Sequence, residues 1–140
     1  MRVLITGGDG FIGHNLARSL INRGDEVHIL DNHVTSKPTL NHENLSRTIG
    51  DVCEIFELIP KDERPDVIVH LASVAIPKLY MEEPDFVIGP NVIGTNEVCK
   101  LAEKYNSRVI FASTSEVYGS TLDNTTVGTS LSEDSHSHTS

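Results

Sequence analysis

Residues 2–13 read RVLITGGDGFIG, and the fold is decided there. Val3, Leu4, Ile5 and Thr6 are aliphatic or β-branched on successive positions, which predicts a short buried strand over 2–6. Gly7, Gly10 and Gly13 follow at G-x-x-G-x-x-G spacing. A helix is then expected over 11–23. Ile12, Leu16 and Leu20 recur at helical intervals, and Ala17 and Ile21 broaden the stripe. Gly24-Asp25 ends it. A strand, a glycine turn and a helix in this order suit a pyrophosphate. The first glycine permits the tight turn, the second lets the backbone approach the ligand, and the third lets the helix pack on the strand. The anion then rests on the helix N-terminus, where free N–H groups and the dipole favour it.

Working outward, residues 26–30 (EVHIL) predict a second strand, with Asp31-Asn32 at its end. Asp31 stands 18 positions past Gly13. A carboxylate there accepts both hydroxyls of an adenosine ribose and repels a 2′-phosphate, so NAD is expected rather than NADP. Residues 33–46 are polar and predict a loop with room for a short helix. A weak third strand is expected over 47–50, and a short helix over 53–59 closed by Pro60.

DVIVHL at 66–71 and RVIFA at 108–112 predict a fourth and a fifth strand. Both are apolar on successive residues, the pattern of strands buried on both faces in a parallel sheet. Between them Ile88, Val92, Val98, Leu101 and Ala102 keep helical spacing over 85–105, with a kink expected at Pro90. Strands alternating with helices predict an α/β fold, a doubly wound parallel sheet with right-handed crossovers. The domain is expected over 1–119. In 120–140, Ser and Thr supply 11 of 21 residues, and a flexible tail is expected.

With 140 residues, one domain is the expectation. The net charge of −9 argues against a nucleic-acid binder, which usually carries a basic footprint. No apolar run is long enough for a membrane span, no signal peptide is read at the start, and a cytoplasmic location is expected. Cys53 and Cys99 are expected to be reduced, buried packing residues. His136 and His138 invite a metal reading, but matched ligands are lacking and no metal site is expected. His70 reads as a satisfied core histidine rather than a catalytic one.

Six blocks together resemble the extended short-chain dehydrogenase/reductase superfamily, the NAD-dependent nucleotide-sugar epimerases, dehydratases and decarboxylases. They are TGGDGFIG at 6–13, LDNHVTSK at 30–37, GDV at 50–52, HLAS at 70–73, NVIGT at 91–95 and ASTSEVYG at 112–119. The TSE of the last block looks most like UDP-glucuronate decarboxylases. The resemblance implies a Rossmann fold. It implies that Gly7, Gly10, Phe11 and Ile12 hold the pyrophosphate, and that Asp31 and Asn32 bind the adenosine ribose, with His33 and Thr35 near its phosphate side. Asp51 and Val52 would contact adenine, and Leu71, Ala72 and Ser73 would line the cofactor beyond the fourth strand. Thr114 would bond the sugar 4-hydroxyl, with Ser115 and Glu116 at the reacting carboxylate or C5–C6 region.

The implied chemistry is transient oxidation of a UDP-sugar at C4 by NAD, which makes a neighbouring carboxylate labile. A 4-epimerase or a 4,6-dehydratase is the competing enzyme class. A non-catalytic NAD-binding module, or one subunit of a split enzyme, is a third reading. The family's base is a tyrosine followed four positions on by a lysine. Tyr80, Tyr105 and Tyr118 are followed there by Pro84, Val109 and Leu122. The chain is therefore expected to be the NAD-binding portion of the fold, cut after the fifth strand and inactive alone. An apolar edge and the 85–105 helix are expected to be left open, favouring a homo-oligomer or a complementing chain.

Overall fold

The computed structural model describes residues 1–114 and Val117. Its centre is a five-stranded parallel sheet in the order β3-β2-β1-β4-β5. The strands are β1 (Arg2–Thr6), β2 (Glu26–Asp31), β3 (Leu45–Ile49), β4 (Val67–His70) and β5 (Arg108–Phe111). Chain order reverses between β1 and β4. The crevice outside the carboxyl ends of these two strands is the topological switch point, where open α/β sheets bind ligands. This is the Rossmann arrangement.

Side chains alternate across β1 and build one core on each face. Val3 and Ile5 pack with Val27, Ile29 and Val69 under Ala17, Leu20 and Ile21 of α1 (Phe11–Asn22). Leu4 packs on the other face with Leu30 and Ile68. That face is covered by Ile55 of α2 (Ile55–Leu58), and by Val98, Leu101 and Ala102 of the helix that precedes β5. Helix α1 ends at Gly24, whose φ of +92° lets its N–H reach the Ile21 carbonyl while the Asp25 N–H reaches Leu20.

The expected 85–105 helix is built in pieces. α3 (Pro77–Glu82) and α4 (Pro84–Ile88) each carry a proline in the first turn. A π-helical stretch (Gly89–Gly94) containing Pro90 then leads into α5 (Thr95–Tyr105). The kink at Pro90 thus takes the form of a widened turn, the usual way a helix absorbs a missing N–H. Helix α3 lies outside the expected pattern. The 33–44 loop contains no helix, and the 53–59 helix is a 3-10 turn (Val52–Glu54) running into α2.

β4 is buried. β5 carries the same apolar pattern and forms the expected open edge of the sheet, with Ile110 51% and Phe111 53% exposed, because no described element packs beyond it. One expectation is corrected. Cys99 is exposed, since α5 turns Val98, Leu101 and Ala102 inward and Cys99 away, while Cys53 is half-buried. Both thiols are free. No helix among the described residues is long and apolar enough to cross a membrane. The 120–140 tail, with His136 and His138, lies outside the described residues.

Candidate functional site

The switch-point crevice opens into a cleft. Gly7, Gly10, Asp31, Asn32, Thr35, Val52, Leu71, Ala72 and Ser73 all line it, which brings together nine of the thirteen expected cofactor residues. Gly7 has φ of +70°, and a Cβ there would stand 2.8 Å from the Ala72 nitrogen. A Cβ on Gly13 would meet the Gly7 carbonyl at 2.5 Å. Turn geometry and packing explain those two glycines. Gly10 differs: its φ is −72°, and an added Cβ would have a single close neighbour, the Gly7 carbonyl at 3.3 Å. The fold alone asks little of glycine there. A ligand lying on the loop does ask for it, so the cradle fits a pyrophosphate.

Gly10 is the N-cap of α1 and offers no side-chain cap. The first intrahelical bond runs from the His14 N–H to the Gly10 carbonyl at 2.8 Å. The N–H groups of Phe11, Ile12 and Gly13 precede it and face the mouth of the turn without an intrahelical acceptor. The side chains of Phe11 and Ile12 point to solvent, 88% and 63% exposed. Their contribution is backbone, not side chain.

Asp31 is buried, and its carboxylate is already engaged. Oδ1 accepts from the His33 N–H at 2.9 Å and the Ser36 hydroxyl at 2.7 Å, and Oδ2 accepts from the Asp9 N–H at 3.0 Å. A carboxylate has about four acceptor positions. One is left open, at Oδ2.

His33 is held at φ of +56°, and its ring turns away to Asp9, Nε2 to Oδ2 at 2.8 Å. Arg47 on β3 reaches the same carboxylate, Nε to both oxygens at 3.1 Å, and its Nη2 donates to the Leu40 carbonyl at 2.5 Å. The Asp9 side chain is 1% exposed. An acid in a phosphate-binding turn opposes an anion unless neutralised, and here the Arg47 guanidinium does so. The cluster also pins the 32–40 loop and β3 across the glycine turn. Asp9 was legible as an odd charge in the loop; no spacing rule points to Arg47. The sequence also did not mark Val34, Ser36, Gly50, Val74 and Pro90 as cleft residues.

Asp51, between the cleft residues Gly50 and Val52 but not itself lining the cleft, caps the 3-10 turn and accepts from the Cys53 N–H at 2.8 Å. Burial, and then Asp51 beside it, push the Cys53 thiol up to about 11, so it is no thiolate nucleophile at neutral pH. Thr6 closes β1, its hydroxyl 2.6 Å from His70 Nδ1 and accepting the Ala72 N–H at 3.3 Å. Thr114 follows β5 and is exposed. Ser115 and Glu116 lie outside the described residues. No set of three metal-ligating side chains is grouped among the described residues. At the opposite end of the sheet a second cavity opens beside His28, whose ring is bonded by Ser46, Thr48 and Glu63.

The model of the NAD dependent epimerase/dehydratase family matches residues 3–139. The chain belongs to this family. NAD, the cofactor in the family's name, is the one the glycine turn and Asp31 predict. A UDP-glucuronic acid decarboxylase 1 of Danio rerio is 41% identical over 123 residues, covering 84% of this chain and 28% of the relative. A UDP-N-acetyl-alpha-D-glucosaminuronate decarboxylase of Bacillus cytotoxicus is 42% identical over 125 residues, covering 84% of this chain and 38% of the relative. A UDP-glucose 4-epimerase of Thermus thermophilus, solved as a complex with NAD, superposes with a TM-score of 0.77 at 29% identity, covering 99% of this chain and 44% of that one. The chain spans less than two fifths of the length of these curated relatives.

Proposed function

We propose that the cleft binds NAD and that the chain is the NAD-binding portion of a nucleotide-sugar-modifying enzyme, most like a UDP-glucuronate decarboxylase. The observation that carries the reading is the cradle at the switch point, with free helix N–H groups and a Gly10 whose missing Cβ leaves the turn open. The N–H groups of Phe11 and Ile12 receive the pyrophosphate, and the open position on Asp31 accepts one ribose hydroxyl. Asn32 and Thr35 flank that ribose, and Asp51 and Val52 close the adenine end. Leu71, Ala72 and Ser73 line the nicotinamide end.

Bound NAD supplies the hydride acceptor for the sugar C4 position. Thr114, Ser115 and Glu116, which follow β5 in the sequence, are proposed to face the sugar. Thr114 orients the 4-hydroxyl there. Decarboxylation is favoured over 4-epimerisation because the two curated relatives above act, by name, on uronates, and because of the Thr-Ser-Glu run. The 4-epimerase reading has its own support in the likeness to the Thermus thermophilus structure. A cytoplasmic location and assembly through the exposed apolar face of Ile88, Val92 and Ile93 belong to the same proposal.

Calorimetry with NAD tests the binding reading. Asp31→Ala is expected to abolish NAD-dependent thermal stabilisation; stabilisation unchanged in that variant overturns the assignment. Product analysis on the full-length enzyme tests the chemistry. Carbon dioxide released from UDP-glucuronate supports the decarboxylase, and a retained carboxylate excludes it.

A further inference from the structure

The proposed function makes no use of His70, a buried polar group next in the chain to the cleft residue Leu71. Its residue is 2% exposed at the end of β4. Nδ1 lies 2.6 Å from Thr6 Oγ1 and Nε2 lies 3.0 Å from Thr95 Oγ1. Phe111 of β5 stands against the ring, centroids 5.6 Å apart. No carboxylate or cation is bonded to the imidazole among the described residues.

The bond directions follow from the far end of the network. A carbonyl only accepts, so the single Thr95 hydroxyl hydrogen goes to the Asn91 carbonyl at 2.7 Å. Thr95 Oγ1 therefore accepts from the ring, and Nε2 carries a proton. Burial without a counter-charge keeps the imidazole neutral and pulls its pKa below the ordinary histidine value. Nδ1 is then bare and accepts the Thr6 hydroxyl hydrogen. Thr6 Oγ1 in turn receives the Ala72 N–H at 3.3 Å.

Through Thr6 and Thr95 the ring thus connects to segments that carry three cleft residues, Gly7, Ala72 and Pro90. Thr6 leads into Gly7, Ala72 packs where Gly7 lacks a Cβ, and Asn91 follows Pro90. We infer that His70 is a positioning residue for the cofactor cleft, acting in its Nε2–H tautomer through Thr6 and Thr95 to set the gap between the Gly7 turn and the Ala72 lip. With Nδ1 protonated instead, the ring would donate and Thr6 Oγ1 would accept across 2.6 Å. Thr6 would turn its hydroxyl away, and its hold on Ala72 would change.

The inference rests on the cleft being the NAD site, and the test separates the two. Nitrogen-15 NMR of the wild-type ring at pH 7.5 is expected to show a protonated Nε2 and a bare Nδ1. Calorimetry is expected to show Thr6→Ser, which keeps the hydroxyl, within about twofold of the wild-type Kd for NAD. Thr6→Val, nearly the same shape without the hydroxyl, is expected to bind NAD about tenfold more weakly, roughly 1.4 kcal/mol. If Thr6→Val does not fold, Thr95→Val replaces it with the same expected loss, because Nε2–H then lacks its acceptor. A protonated Nδ1 in the wild type, or a hydroxyl-free variant with unchanged Kd, overturns the inference. Gly7 and Gly10 amide signals that ignore NAD in the wild type overturn the cofactor reading, and this inference with it, whatever the tautomer.

Discussion

Arg47→Met is the perturbation on which the site's electrostatics depend most. It removes the guanidinium partner of a carboxylate that is 1% exposed, while keeping much of the arginine stem's bulk. Two unit charges at 3.1 Å attract by about 5 kcal/mol at an effective dielectric of about 20. Stranding one member of such a pair typically costs about 3–5 kcal/mol, and the His33 ring stays behind, hydrogen-bonded to the carboxylate at 2.8 Å. The expected loss is therefore about 3 kcal/mol, the lower end. With a urea slope of about 1.5 kcal/mol/M, the unfolding midpoint should fall by about 2 M. The decisive comparison is the double variant Asp9→Asn/Arg47→Met. If the damage comes from a stranded charge, removing that charge should recover about 1 kcal/mol or more of what Arg47→Met loses. A single variant that loses less than about 0.5 kcal/mol, or a double variant no more stable than the single, refutes the reasoning.

The two glycines of the turn should separate in the same urea assay. Gly7→Ala forces a Cβ to 2.8 Å from backbone at positive φ and should lose about 2–4 kcal/mol. Gly10→Ala should change stability by less than about 1 kcal/mol yet weaken NAD binding sharply by calorimetry; unchanged binding counts against the cradle. His28 and His70 both have pKa values lowered chiefly by burial. The unfolded chain therefore binds more protons below about pH 6.5, and melting temperature should fall as pH drops from 7 to 5, with a shallower fall in His28→Gln. A thiol reagent at pH 8 should modify exposed Cys99 well before Cys53, whose thiol sits at about 11; equal rates refute that placement.

Much of this architecture is written in local pattern. The strand–glycine–helix run over 2–22, the second strand ending at Asp31, and the buried β4 emerge from hydrophobic period and turn chemistry, which act between near neighbours. So does the kink at Pro90, since a missing N–H is a property of one residue. A pattern of that kind cannot by itself place β5 at the sheet edge, since its apolar run is the same whether or not anything covers it. It misreads Cys99, where a helical face had to be chosen from three-dimensional packing.

The cleft divides in the same way. Gly7, Gly10 and Asp31 announce themselves because each is needed for what the backbone or a carboxylate does locally. Tertiary structure alone decided that Asp31 has three of its acceptor positions taken, that Asp9 is neutralised from β3 by Arg47, and that Thr6, His70 and Thr95 form one directed network. Those bonds join residues 22 to 64 positions apart, with only a few local ones among them. Sequence determined which residues could bind a dinucleotide; the parallel order β3-β2-β1-β4-β5 determined which of them meet, because only strand pairing brings such distant side chains to one edge of the sheet.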